Sequence, residues 1–175
     1  MNADLGTDLG SVFDAHMSAE FELRDVAKAM ETMTDAPSLT HVPVITGARG
    51  KDALHDFYRD HFVGKWPSDL AIERISRTTS ENMIIDEFIV KFTHDVVMDA
   101  ILPGIAPTGR HVELPYVAVV GFEGGKIAFE RIYWDQGSML VQLGLLNVDG
   151  LPLVGSQQAE ALRDENYPRN GLITG

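Results

Sequence analysis

Asp135 closes an apolar, strand-like run directly after Tyr133 and Trp134, and it carries the chemistry most readily written from this chain. A carboxyl group at the end of an apolar and aromatic surface loses water, so its pKa rises until it can hold and release a proton near neutral pH. The hairpin before it sets which face it occupies. With Gly124-Gly125 as the two central residues of the turn, facing residue numbers sum to 249. That register pairs Phe122 with Ile127, Val120 with Phe129, Ala118 with Arg131, Tyr116 with Tyr133 and Leu114 with Asp135, all on one face. The other reading of Asp135 is an N-cap for the segment GSMLVQLGLL, a role worth ~1 kcal/mol.

Two further polar residues interrupt an apolar face, His94 and Asp86, in the strand ENMIIDEFIVKFTHD. They stand eight residues apart, roughly 26 Å along a strand, so at most one of them acts with Asp135. His94, after Phe92, is the better base or donor, and His41, before Pro43, is a second candidate for orienting a substrate. Arg131 shares the predicted face of Asp135 about 13 Å away, where it binds an anionic or carbonyl-bearing substrate or pairs with a neighbouring carboxylate. Tyr133, Tyr116, Tyr58, Trp66 and Trp134 are candidate walls of an apolar pocket, with Tyr133 and Tyr116 foremost.

Other chemistries find no support. The histidines, at 16, 41, 55, 61, 94 and 111, form no HExxH, and His55 and His61 stand six apart, off one helix face, so no metal site is expected. Cysteine is absent, which removes disulfides and thiolate chemistry. There is no GxGxxG, GxxxxGK[ST] or GxSxG, so dinucleotide, P-loop and nucleophile-elbow readings fail. A net charge of -12 without a Lys/Arg cluster argues against nucleic acid. No apolar run approaches the ~18 residues of a membrane helix, and the opening MNADLGTDLGS has no secretory or transit character, so a cytoplasmic protein is expected.

The elements that must position these residues follow from periodicity. At 175 residues the chain suits one domain with one pocket. Phe13, Met17, Phe21, Val26, Met30 and Met33 recur at helical spacing and predict one long amphipathic helix from Asp8 to Asp35, ended by Ala36-Pro37. SLTHVPVIT reads as a short extended segment, and GARGKDALHDFYRDHF as a second helix with Ala53, Leu54, Phe57, Tyr58, His61 and Phe62 on its apolar face. After Trp66-Pro67 the period becomes two. Ile84, Asp86, Phe88, Val90, Phe92 and His94 share one face of the first clear strand, and HVELPYVAVVGF and KIAFERIYWD form the hairpin. Helices followed by an antiparallel meander predict an α+β domain over residues 1–146. Residues 147–175 read as an extension, a loop plus a short helix around Ser156 to Asp164.

This order of elements, with Gly125-Lys126-Ile127, Glu130, Trp134-Asp135 and Gln142-Leu143-Gly144 at their spacing, resembles the SnoaL-like polyketide cyclases of the nuclear transport factor 2 superfamily over roughly residues 10–146. The resemblance implies a cone-shaped barrel, a curved antiparallel sheet wrapped around N-terminal helices, with a mainly apolar pocket and usually a homodimer. It also implies that Asp135 is the acid/base of a cofactor-free ring closure. Arg131 stands where the cyclases often carry an aromatic residue. The expectation is a cofactor-free acid/base enzyme, a cyclase, isomerase or dehydratase, acting on a hydrophobic carbonyl- or hydroxyl-bearing small molecule. In it Asp135 is catalytic, His94 or His41 orients the substrate, and no membrane or nucleic acid is a partner. The alternatives are a non-catalytic binding or dimerisation module, or an epoxide or lactone hydrolase using Arg131, Asp135 and Asp86 or Asp99.

Overall fold

The computed structural model describes residues 8–173; the opening segment read above for targeting signals lies largely outside them. Among these residues no helix is long and apolar enough to cross a membrane.

The predicted N-terminal helix is broken into pieces. Helix α1, Leu9–Met17, is capped by the Asp8 carboxylate on the Gly10 N–H and runs into a π-helical turn, Ser18–Glu22. The chain then bends through Arg24, which adopts φ +54°, and restarts as α2, Val26–Glu31, capped by Asp25 on the Lys28 N–H. Strand β1, Met33–His41, follows at once. Met33 and Pro37 are therefore buried in a strand, and Ala36-Pro37 does not end a helix. The helical spacing of Met30 and Met33 misled because both turn toward the same core from different elements.

Strand β2, Thr46–Arg49, returns antiparallel to β1. Helix α3, Lys51–Phe57, continues as a second π-helical turn, Tyr58–Phe62. It buries Leu54, Tyr58 and Phe62, while Ala53 and His61, expected on the same face, point to solvent. Four strands complete the sheet: β3, Ala71–Thr79, β4, Met83–Thr93, β5, His111–Glu123, and β6, Lys126–Trp134. β3 escaped sequence reading because it is a half-exposed edge strand carrying Glu73, Arg74 and Arg77 rather than a clean apolar alternation. The strand order is β2-β1-β6-β5-β4-β3, antiparallel throughout except for the β1–β6 ladder, which is parallel. The inner face of this sheet and the N-terminal helices enclose the core.

The β5–β6 hairpin decides the site. Glu123 faces Lys126 and Phe122 faces Ile127, as the turn predicts. A β-bulge then moves the register by one, so that Gly121 faces Phe129, Val120 faces Glu130, Ala118 faces Ile132 and Tyr116 faces Trp134. Side chains alternate, so one extra residue turns the rest of β6 over. Glu130 and Trp134 are buried, while Arg131 and Tyr133 are exposed. The interior face of β5 is the one expected from its sequence, with Leu114, Tyr116, Ala118 and Val120 buried.

After β6, helix α4, Gln136–Gln142, leads to the extension, in which α5, Gln157–Arg163, is the short helix anticipated around Ser156.

Candidate functional site

Between the N-terminal helices and the sheet lies a small cavity, about 40 Å³ in volume. Its walls are apolar and aromatic: Phe13, Met17 and Phe21 from the first helical segment, Phe62 and Trp66 beyond α3, Phe88 and Val90 from β4, and Tyr116 and Ala118 from β5. The charged residues that interrupt this lining are Glu20 and Glu130; His41 and the Tyr116 hydroxyl add two polar, uncharged edges.

Glu20 and Glu130 belong to a buried cluster built by three parts of the chain. α1 and its π-helical turn present His16 and Glu20 one turn apart, and the bulged β6 brings Glu130 inward opposite them. His16 Nε2 lies 3.1 Å from Glu20 Oε1, 3.5 Å from Glu130 Oε2 and 3.2 Å from the Tyr58 hydroxyl. Tyr58 donates to Glu130 Oε2 at 3.3 Å. On the other side of the ring, the Thr32 hydroxyl donates to the Ala29 carbonyl at 2.7 Å, so its oxygen is free to accept from His16 Nδ1–H, also at 2.7 Å. The imidazole is thereby oriented with Nε2 toward the carboxylates.

The electrostatics follow from this packing. Burial by itself lowers the His16 pKa, but the charges of Glu20 and then Glu130 outweigh it and hold the imidazole well above its ordinary range. At neutral pH His16 is a cation between two carboxyl groups. Burial also raises Glu20, against the opposing pull of His16, so Glu20 keeps a proton more readily than a surface glutamate. Tyr58 is raised by burial and by the neighbouring carboxylates and stays a neutral donor. The cluster therefore holds protons that can be moved, at the edge of an apolar cavity.

His41 lies in a ring stack. Phe57, Phe62 and Trp134 surround it, at centroid distances of 6.0, 5.3 and 5.8 Å. The Thr46 hydroxyl donates to the Ala100 carbonyl and accepts from His41 Nδ1–H at 3.0 Å. Burial lowers the His41 pKa to about 4, so a neutral imidazole lines the cavity. Phe88, Tyr116 and Trp134 stack across β4, β5 and β6 at 5.8 and 5.2 Å. The Tyr116 hydroxyl is buried without a hydrogen-bond partner among the described residues, and burial raises its pKa, so it is a donor waiting for an acceptor.

The residues expected from sequence are thus divided. His41, Tyr116 and Trp66 line the cavity, and Tyr58 supports it from behind. Asp135 does not line it. Its exposed carboxylate accepts the Ser138 N–H at 3.0 Å as the N-cap of α4 and the Gln158 side-chain amide at 2.6 Å. Tyr133 is 41% exposed and Arg131 stacks on Phe129 at 4.4 Å on the outer face, so neither is a wall. Asp86 is buried but taken: Arg77 grips it with two bonds of 2.6 Å, beside Arg74 and Asp14. His94 is buried away from the cavity with Nδ1 near Thr108. Asp99 is half exposed beside His61.

His16, Glu20 and Glu130 were missed. The spacing H-x-x-x-E at 16–20 was a visible signal, because those positions share one helix face. Glu130 was hidden by the register, although an isolated glycine in the facing strand, Gly121, marks a bulge.

The family model described as the SnoaL-like domain matches residues 14–130. The chain belongs to the SnoaL-like domain family. The matched span takes in His16, Glu20, Tyr58, Tyr116 and Glu130 and stops short of Asp135. No curated protein matches by sequence. Among solved structures, this SnoaL-like chain is similar to a putative SnoaL-like polyketide cyclase from Jannaschia sp. CCS1 (TM-score 0.64, 14% identity, 84% of this chain and 99% of that one). It is also similar to an NTF2-like protein of unknown function from Burkholderia pseudomallei (TM-score 0.59, 17% identity, 77% and 96%). A third is SalBIII, an epoxide hydrolase/cyclase-like enzyme of pyran ring formation in the polyether salinomycin (TM-score 0.54, 14% identity, 73% and 91%). At these identities the likeness shows the fold alone, one shared with NTF2-like proteins.

Proposed function

We propose that this SnoaL-like protein is an enzyme that moves a proton on a hydrophobic small molecule bearing a carbonyl or hydroxyl group. The observation that carries this reading is the pair Glu20 and Glu130, two carboxyl groups opening onto an otherwise apolar cavity and backed by the His16 imidazole. Glu130, steadied by Tyr58 and His16, takes or returns the proton at carbon, and Glu20 holds a second one for an oxygen or leaving group. The Tyr116 hydroxyl, which has no partner among the described residues, donates to the substrate oxygen. Cyclisation, isomerisation and dehydration all use this pairing, and the cyclase and epoxide hydrolase/cyclase-like relatives support the class.

The apolar ketone 1-indanone tests the step without knowledge of the natural substrate. In D2O the wild type should speed deuterium incorporation at the carbon beside its carbonyl, followed by NMR. Glu130→Gln should remove roughly 10²- to 10⁴-fold of that acceleration, the usual worth of one placed proton-transfer group. Exchange that is as fast in Glu130→Gln as in the wild type would take Glu130 out of the mechanism.

A further inference from the structure

His16, Glu20 and Glu130 have a second property. A nitrogen or oxygen ligand lies about 2.0–2.2 Å from a Zn²⁺ ion, so ligands in tetrahedral or right-angled positions stand about 3.0–3.5 Å from one another. His16 Nε2 is 3.1 Å from Glu20 Oε1 and 3.5 Å from Glu130 Oε2, and one ligand atom of each of the three residues falls within 4.8 Å of the others. Two of the three separations, those from His16 Nε2 to each carboxylate, have the spacing of a coordination shell. All three side chains are buried, at 0%, 5% and 4% exposure, and His16 is the ion-pair partner found for either carboxylate among the described residues. Two buried carboxylates share one histidine, a balance that a divalent cation improves.

The surroundings of His16 are those of a ligating histidine. Nδ1–H is engaged by the Thr32 oxygen, with the Ala29 carbonyl at 3.2 Å, which fixes the ring and leaves Nε2 to meet an ion. The Tyr58 hydroxyl braces Glu130 from outside. Glu20 and Glu130 line the cavity, so an ion held by them has a way in and a coordination position open to a ligand in the cavity.

We propose that His16 Nε2, Glu20 and Glu130 form a binding site for one first-row divalent transition-metal ion, with its open position facing the apolar cavity. Imidazole with carboxylate suits Zn²⁺ or Co²⁺ over Ca²⁺ or Mg²⁺. Ion and protons compete for the same atoms, so binding releases at least one proton, and acid weakens it. An ion so held competes with the protons that the reaction proposed above places on Glu20 and Glu130; its binding is read without turnover, so failure of the site leaves that reaction standing.

The test is calorimetric titration of ZnCl₂ into the full chain after chelator treatment, at about pH 7.5 and again near pH 6, in two buffers of different ionisation enthalpy. One equivalent should bind with proton release at the higher pH, and more weakly at the lower. Co²⁺ should give the visible bands of a low-coordinate site. Glu20→Gln and Glu130→Gln should each weaken Zn²⁺ by at least the roughly 10- to 100-fold that loss of an outer partner alone costs. His55→Asn with His61→Asn, both exposed, should leave binding unchanged. Should a glutamine variant fail to fold, nitrogen-15 spectra of histidine-labelled wild type decide instead, with the Zn²⁺-shifted imidazole that of His16 and shifted at Nε2. No binding, binding kept in both glutamine variants, or shifts at His55, His61 or His111 would overturn the site.

Discussion

At the scale of the residue, Asp135 separates what a carboxylate can be from what it is. Its sequence neighbours, Tyr133 and Trp134, suggested an apolar wall, yet it stands one step past the strand with its oxygens on the Ser138 N–H and the Gln158 amide. A cap needs an acceptor and no proton transfer, so Asn serves nearly as well as Asp. Asp135→Asn should leave thermal stability within a few tenths of a kcal/mol, and Asp135→Ala should cost about 1 kcal/mol through loss of the cap. Neither should change indanone exchange; a folded Asp135→Asn without exchange would return Asp135 to the mechanism. Glu130, with the same functional group, is buried against His16 and Tyr58. Burial and partners separate the two, and neither can be read from residue type.

At the scale of the element, the bulge in β6 has a local cause. Gly121 faces Phe129, and a Cβ on Gly121 would sit 2.1 Å from the Phe129 ring. The ring covers the glycine on the outer face, Arg131 stacks on that ring, and the following residues turn Glu130, Ile132 and Trp134 toward the cavity side. Gly121→Ala should therefore displace Phe129 and destabilise the domain by about 1–3 kcal/mol, the usual cost of overpacking, measured by urea unfolding. An unchanged midpoint would mean that the ring moves aside freely. The hairpin turn and the interior face of β5 were legible because alternation is local. β6 was not, because a bulge depends on what lies opposite.

At the scale of the whole molecule, the extension is tied to the sheet. Arg163 of α5 reaches Glu73 on β3 at 2.8 Å and Glu113 on β5 at 2.5 Å, with Lys91 of β4 bonded to both glutamates. Ile89 alternates with the inward Phe88 and Val90, so it faces outward, yet it is fully buried next to its cross-strand partner Glu73. We attribute that cover to α5, whose Ala159 is likewise fully buried. Ending the chain after Leu146 should expose Ile89, break the Arg163 links and free Gln158 from Asp135. A loss of about 2 kcal/mol or more is expected in denaturant unfolding, the cost of uncovering one large aliphatic side chain. No loss would mean that the extension rests on the sheet without holding it.

By itself the sequence determined the properties that depend on composition or on near neighbours. The absence of cysteine, the acidic balance, the inward face of β5 and the SnoaL-like resemblance are of this kind. Tertiary structure decided which carboxylates are buried. His16 and Glu20 announce themselves as a helical pair, but their partner Glu130 lies more than a hundred residues away and is turned inward by one extra residue in a strand. Alternation carries side-chain direction along a strand only until a bulge reverses it, and desolvation exists only once distant segments have closed over the same space.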